Sequence, residues 1–174
     1  MKTALAGAVG FVAILSAGCA GLIHPQNADQ FRAKVPAMWT EKTEVKRPFR
    51  TVAELLKKKS SECLDVTVTR EFTEYNGPYS FRRTRTVKYR PTVEVSSKRA
   101  ALQLQLDDGT RGGMQNVPQG GMYIMVFDAY PVSGDTTRLE IYGGGMSFKV
   151  IPEAIKSWIN GKTTGCPDLS KIAA

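Results

Sequence analysis

The chain has few of the residues on which hydrolytic and metal-dependent enzymes rely. Its 174 residues include a single histidine, His24, and three cysteines. Histidine is the side chain that most often exchanges protons near neutral pH, so a Ser-His-Asp or Cys-His catalytic set is not expected. The sequence also contains no HExxH, no Gly-x-Ser-x-Gly and no Walker-type phosphate loop. We therefore predict a protein that is not an enzyme and that uses no metal and no cofactor.

Long apolar runs are also missing. Residues 4–15 are almost wholly apolar, but a helix that crosses a bilayer needs about 20 such residues. Lys2 gives this segment a positively charged start, and Ser16-Ala17-Gly18 follows it as a small-residue cleavage site. A charged end, a short apolar segment and small residues are the layout of a secretory signal peptide. We therefore predict that residues 1–18 are removed on export.

The residue directly after this segment is a cysteine, and Ser16-Ala17-Gly18-Cys19 resembles the lipobox of bacterial lipoproteins. The lipobox favours leucine where Ser16 stands, and here Leu15 lies one position earlier. The resemblance implies that Cys19 becomes the first mature residue and carries a diacylglyceryl group on its thiol and an acyl chain such as palmitate on its amine. Ala20 replaces the aspartate that marks retention at the inner membrane, which implies the outer membrane, facing the periplasm. Ordinary secretory cleavage, with Cys19 lost or left as a thiol, is the alternative.

The two remaining cysteines, Cys63 and Cys166, form an even number in an exported chain. In an oxidising compartment such a pair is typical of a disulfide. A bond between them would close a loop of about 100 residues, which the chain-entropy account values at roughly 4.7 kcal/mol. The alternatives are a reactive thiol or half of a metal site, although neither a nearby histidine nor a Cys-x-x-Cys spacing accompanies them.

The mature chain divides into two predicted parts. Residues 19–47 are polar and loosely patterned, and their X-Pro pairs disfavour a continuous helix. We predict a lipidated flexible tether here and a single α+β domain over residues 48–174. An added strand or a short docked helix is the alternative for the tether, because it carries four large apolar side chains: Phe31, Val35, Met38 and Trp39.

Periodicity within residues 48–174 predicts the fold. Thr51-Val52-Ala53-Glu54 has the pattern of a capping box, which predicts a helix from there to about Glu62. A second helix is predicted from Pro152 to the stop at Gly161. Between them, apolar residues follow the period-2 pattern of strands, near residues 66–72, 79–89, 102–106, 122–129 and 139–141. The expected fold is α+β, an antiparallel sheet of about five strands with an N-terminal and a C-terminal helix packed on one face.

Two stretches are candidate binding sites. A glycine-flanked loop between two predicted strands is the first, because binding residues often lie on long loops; its candidate residues are Arg111, Met114, Gln115 and Asn116. The second is a basic stretch that we consider for anion binding, with Arg82, Arg83, Arg85, Lys88 and Arg90. An edge strand protected from aggregation by its charges is the alternative for the second stretch.

The net charge of +8 would suit nucleic acid in the cytoplasm. Export argues against that partner, so we expect no nucleic acid. The expected partners are the membrane, through the lipid anchor, and either an envelope protein or a polyanionic component of the envelope.

The sequence contains three short motifs, which are Glu62-Cys63-Leu64-Asp65-Val66-Thr67-Val68, Trp158-Ile159-Asn160-Gly161 and Gly165-Cys166-Pro167-Asp168-Leu169. Together they resemble small uncharacterised proteobacterial lipoproteins, a family with no established activity. The resemblance therefore implies the location and the disulfide, and no catalytic residue. We predict a periplasmic lipoprotein of the outer membrane, a binding or envelope-assembly accessory module. The alternatives are an envelope enzyme that uses carboxylate or Ser/Lys chemistry, such as Ser147 with Lys149, and a secreted effector.

Overall fold

The structure is a computed structural model that describes residues 24–109, 116–143, 145, 148–162 and 165–172, without the side chains of residues 70, 72 and 171. These residues form an α+β fold in which every strand pairing is antiparallel. The helices are α1 (Ala28–Lys34), α2 (Phe49–Cys63) and α3 (Val150–Ile159). The strands are β1 (Thr40–Val45), β2 (Thr67–Asn76), β3 (Tyr79–Val95), β4 (Ala100–Asp107), β5 (Met122–Pro131) and β6 (Thr137–Gly143).

The strands lie in one sheet in the order β1-β6-β5-β4-β3-β2. Strands β2 to β6 follow one another as a meander, and β1 pairs with β6 at the far edge. Helix α2 connects the two edges of the sheet. Because β2 covers β3 only as far as Lys88, Pro91 lies where no strand among the described residues pairs with the outer side of β3, and no amide donor is needed there.

The main core lies between the sheet and helices α2 and α3. Helix α2 buries Val52 and Leu56 on its inner side, and α3 buries Ile155 and Ile159. They pack against the sheet residues that point to the same side, of which Phe127 is fully buried. The predicted α+β class with an antiparallel sheet is thus confirmed, but the sheet has six strands instead of about five, because β1 is added at one edge, and a third helix, α1, accompanies α2 and α3.

Helix α2 begins earlier than the sequence predicts. Its first residue is Phe49, and Pro48 precedes it without a side-chain capping hydrogen bond. Proline holds its φ near the value that a helix entry requires, which lets the helix begin before Thr51. Glu54 accepts a hydrogen bond from Arg50 Nε at 3.1 Å, in an i,i+4 pair within the first turns. The capping-box interpretation of Thr51 and Glu54 is therefore wrong.

The predicted tether is corrected for most of its length, because residues 28–45 fold onto the sheet. Helix α1 starts after Asn27, whose side-chain oxygen accepts a hydrogen bond from the backbone amide of Gln30 at 2.9 Å. A 3₁₀ turn, Ala37–Trp39, leads into β1. The prolines of this segment end short elements rather than keep the segment extended. The folded body therefore begins near Ala28, and residues 19–23 lie outside the described residues.

The predicted disulfide is present. Cys63, the last residue of α2, is bonded to Cys166, and their Cα atoms lie 4.9 Å apart across 103 residues of sequence. The bond holds the segment after α3 against the start of the domain. Leu169 and Ile172 of that segment are buried in the main core.

Candidate functional site

An apolar cavity of about 530 Å³ lies where α1 and the 3₁₀ turn cross the ends of β5 and β6. This volume falls within the range of about 300–1,000 Å³ that is usual for small-molecule sites. Aromatic and aliphatic side chains make most of its wall, and we call it the α1 cavity. Its principal lining residues are Phe31, Val35, Trp39, Tyr123, Ile124 and Phe148.

A β-bulge shapes the floor of the α1 cavity. Leu104 pairs with Met125, whereas the next residue, Gln105, pairs with Tyr123, so Ile124 is the extra residue. A bulge bends its strand and redirects a side chain. Here Ile124 contributes to the cavity wall, and the ring of Tyr123 lies 6.1 Å, centroid to centroid, from that of Phe31.

Gly143 lets α1 approach the sheet at this position. Its φ is +83°, and a Cβ atom built there would lie 2.8 Å from Cζ of Phe31 and 2.7 Å from the backbone oxygen of Ile124. A larger residue would therefore displace Phe31 or strain the end of β6. The glycine run that the sequence shows at this position thus serves a strand exit, as far as its described members, Gly143 and Gly145, are concerned.

The 3₁₀ turn beside the α1 cavity carries two exposed apolar side chains. Met38 is 84% exposed and Trp39 is 51% exposed. Trp39 also lines the cavity, and it lies against the backbone of Gly145. One indole ring therefore belongs both to the cavity wall and to the outer surface.

A charge pair fastens α1 to the sheet beside the cavity. Arg32 donates to both carboxylate oxygens of Asp128, from Nε at 2.7 Å and from Nη2 at 2.8 Å. Asp128 is fully buried, and the hydroxyl of Tyr130 donates to it at 3.4 Å. The bidentate geometry is the strong form of an arginine–carboxylate pair. It holds the guanidinium ionised, with a raised pKa for Arg32 despite the opposing effect of burial.

A second polar group lies on the same face of the sheet. Tyr142 donates its hydroxyl proton to Glu140 Oε2 at 2.7 Å. Burial, and then this hydrogen bond, raise the pKa of Tyr142. Burial opposes ionisation of Glu140, but Tyr142, Lys42 and Arg138 together hold the pKa of its carboxyl below the ordinary value. Tyr142 is therefore a neutral hydrogen-bond donor beside an ionised carboxylate, and not a candidate base.

The predicted anion-binding residues do not form one patch. Arg83 and Arg85 point to one face of β3, and Arg82, Lys88 and Arg90 point to the other, as strand alternation requires. Four of the five contact a carboxylate. The pairs are Arg82–Glu71 at 3.7 Å, Arg83–Glu74 at 3.1 Å, Arg90–Asp107 at 3.0 Å and Arg85–Asp108. These carboxylates offset much of the positive charge, and anion binding here stays a prediction.

The basic stretch belongs to a projecting hairpin. We name residues 69–86 of β2 and β3 the arm, because the side chains described there are exposed or half-buried on both faces. Near its turn, Tyr75 is 78% exposed, Tyr79 is 67% exposed and Phe81 is 47% exposed. This part of the hairpin therefore projects beyond the core.

The predicted binding loop is described only in part, because Arg111, Met114 and Gln115 lie outside the described residues. Asn116 is exposed, and its backbone oxygen accepts a hydrogen bond from Gln26 Nε2 at 2.5 Å. The described end of the loop therefore lies against the segment that leads into α1.

The other predicted positions also lie partly within and partly outside the described residues. Cys19 and Ser147 lie outside the described residues, and Lys149 is exposed with its Nζ 3.5 Å from Glu153. Within the described ranges, no three metal-ligating side chains of His, Cys, Asp or Glu type cluster. No helix in that part of the chain is long and apolar enough to span a membrane.

Sequence reasoning missed the α1 cavity and the Arg32–Asp128 pair. One signal was available for the pair, since Asp128 is a lone carboxylate within the apolar run of residues 122–129. A buried carboxylate requires a partner, and the only uncertainty was where in the chain that partner lay. The cavity had no comparable signal because its walls come from separate segments.

Comparisons with known proteins add little. No protein-family model and no curated protein matches the chain. Among solved structures, a hypothetical protein from Helicobacter pylori aligns with 73% of this chain and 91% of its own, at 12% identity and a TM-score of 0.33. A similarity this low supports no conclusion about fold or function.

Proposed function

We propose that the protein is a lipid-anchored binding module of the bacterial envelope, attached through Cys19 to the outer membrane and facing the periplasm. The observation that carries the proposal is the Cys63–Cys166 disulfide. Disulfides persist in oxidising spaces such as the periplasm and are rare in the cytosol. The lipobox resemblance at Cys19 supplies the anchor, and two or more acyl chains are enough for stable attachment.

The position of α1 supports a body held close to the membrane. Cys19 precedes Ala28 by nine residues. A fully extended chain advances at most about 3.6 Å per residue, so this segment spans no more than roughly 32 Å. A partner must therefore come to the membrane surface, or must be reached by a part of the protein that projects from the body.

The arm is the part that projects. Its exposed rings, Tyr75, Tyr79 and Phe81, are of the type that is enriched at the centres of protein interfaces. Its arginines Arg82 and Arg83 are already paired with carboxylates, which favours a protein partner over a polyanionic polymer. We therefore propose an envelope protein as the partner of the arm.

The anchor is tested by intact mass spectrometry of the protein from bacterial membranes, with and without reductant. We expect the mass of three acyl chains on Cys19, and a gain of two hydrogen atoms on reduction of the Cys63–Cys166 bond. A Cys19→Ala variant should lose the acyl chains and leave the membrane fraction. An unlipidated mass for the chain with Cys19 intact would overturn the assignment of a lipid anchor. Free thiols at Cys63 and Cys166 would overturn the assignment to an oxidising compartment.

The partner is tested by site-specific photo-crosslinking in cells. A crosslinking residue at Tyr79 should give a discrete protein adduct, whereas the same residue at Val132 should not. Val132 is the matched control because it is apolar, 50% exposed and outside the arm. Equal adducts at both positions, or none at Tyr79, would overturn the assignment of the arm.

A further inference from the structure

We propose that the α1 cavity binds one acyl chain of a phospholipid in the membrane to which Cys19 is attached, with Met38 and Trp39 lying on that leaflet. The inference deepens the proposed function and rests on its lipid anchor. It assigns a ligand class and an orientation to a part of the molecule that lies outside the arm.

The chemistry of the cavity fits a hydrocarbon chain. Phe31, Ile124 and Phe148 line it from α1, from the bulge of β5 and from the turn before α3. Such a wall offers apolar contact in several directions, so an acyl chain finds surroundings there that resemble the bilayer interior, and its entry removes the apolar wall of the cavity from water. A ligand with many polar atoms would find few partners for them there.

The position of the cavity in the chain fits the membrane. Pro25 lines the cavity, and Cys19 precedes it by six residues. Six residues span at most roughly 22 Å when fully extended. An anchored lipid on Cys19 would therefore keep the cavity near the headgroup layer, where phospholipid is the most concentrated apolar ligand. This is the same gain in effective concentration that a short linker gives to a second binding event.

The 3₁₀ turn beside the cavity also fits a membrane surface. Tryptophan is favoured at the boundary between hydrocarbon and water, because its ring is largely apolar and its N–H is polar. Trp39 and Met38 are large apolar residues that are strongly exposed beside the cavity. By contrast, the second tryptophan, Trp158, is 4% exposed within the main core.

A neighbouring phospholipid suits the cavity better than the protein's own lipid. An acyl chain of Cys19 that entered the cavity would leave the bilayer and weaken the anchor by the methylene groups removed. A chain from a neighbouring phospholipid fills the cavity without that loss. The resulting contact would add to the anchor and would fix the orientation of the body.

The inference is tested by photolabelling of the full lipidated protein in vesicles of phosphatidylethanolamine and phosphatidylglycerol. A fraction of the phospholipid carries a diazirine in its acyl chain, and labelled peptides are located by mass spectrometry. We expect adducts on Tyr123, Ile124 or Phe148, which lie in the cavity wall. Adducts on Met38 with none on Tyr123, Ile124 or Phe148, or no adducts at all, would overturn the proposal, because they would show surface contact or no contact.

Two variants make the test specific to the cavity. Val35→Trp fills the cavity and should strongly reduce labelling of Tyr123 and Ile124, whereas Val132→Trp adds the same ring at a distant exposed position and should not. Unchanged labelling in a folded Val35→Trp protein would overturn the proposal. The mass of Cys19 is measured on the same sample, so that a missing anchor and an empty cavity give separate results.

Discussion

The two faces of strand β5 are buried equally but by different means. Residues 125–129 are all fully buried. On one face, Phe127 lies under α2 and α3 in the main apolar core. On the other, Asp128 lies under α1 and is paired with Arg32. The comparison shows that a continuous buried strand can have one face held by apolar packing and the other by a paired charge.

The lengths of the covering helices explain the difference. Helix α2 has fifteen residues and α3 has ten, and both present several buried apolar side chains. Helix α1 has seven residues, of which only Ala28 is fully buried. A helix this short is not stable by itself in water. Its position on the sheet therefore depends on Arg32, together with the contact of Phe31.

The largest expected loss of stability comes from the face under α2 and α3. Phe127→Ala should lower the free energy of unfolding by about 3–5 kcal/mol, because it leaves a cavity in a packed core. Urea unfolding followed by circular dichroism measures this change. The matched control is Phe81→Ala on the arm, where the ring is 47% exposed, and we expect a change within about 0.5 kcal/mol. Similar losses for both variants would show that the arm is part of the core.

The disulfide reinforces the same face, because Cys63 ends α2. Reduction should lower the free energy of unfolding by about 2–5 kcal/mol, since the bond restricts the unfolded chain. Thermal unfolding with and without reductant measures the effect. A Cys63→Ser/Cys166→Ser variant should match the reduced protein and should not respond to reductant. A native protein that unfolds at the same temperature in both conditions would contradict this prediction.

The charged face should respond to the loss of one partner. Arg32→Met leaves Asp128 buried without its cation, which costs about 3–5 kcal/mol for a fully enclosed pair. We expect about 2 kcal/mol here, because α1 is short enough to detach and let water reach the carboxylate. The double variant Arg32→Met/Asp128→Leu should recover part of the loss, since it removes the stranded charge. The Asp128→Leu variant is measured as well. If the losses of the two single variants in urea titrations simply add up to the loss of the double variant, the two residues do not interact.

The sequence predicted the face under α2 and α3 far better than the face under α1. The period of α2 and α3 and the alternation of β4 are local patterns, and each predicted the correct element. The even cysteine count predicted the disulfide, although its two cysteines lie 103 residues apart. Strand β1 has no such pattern, because five of its six residues are polar and only Val45 is an apolar residue. Its pairing with β6 is decided by tertiary contacts, which a single-sequence pattern does not report.

The candidate site divides in the same way. Cys63 and Cys166 could be paired by counting cysteines, and the basic stretch of β3 is visible in the sequence. The α1 cavity combines residues from α1, a 3₁₀ turn, a bulge in β5 and the turn before α3. The bulge at Ile124 depends on the register between two strands. Sequence periodicity fixes which face a residue occupies but does not fix that register.

The smallest expected effect tests whether the two faces differ in their response to pH. The pKa of Glu140 is held below its ordinary value of 4.5 in the folded protein. The ionised carboxylate therefore stabilises the fold fully above pH 4.5, and this contribution disappears as pH falls through the lowered folded pKa. Glu140→Gln should cost up to about 1 kcal/mol at neutral pH, and in urea titrations the loss should shrink as the pH falls below 4.5.

Two controls make the pH test a comparison of the faces. The loss caused by Phe127→Ala should be nearly the same at both pH values, because no ionisable group is removed from the apolar core. Glu54→Gln removes an exposed carboxylate that pairs with Arg50, and we expect a smaller effect than for Glu140. A loss for Glu140→Gln that persists unchanged in acid would mean that the fit of the side chain among its neighbours, and not its charge, is what Glu140 contributes. The charged face would then depend on pH no more than the apolar face does.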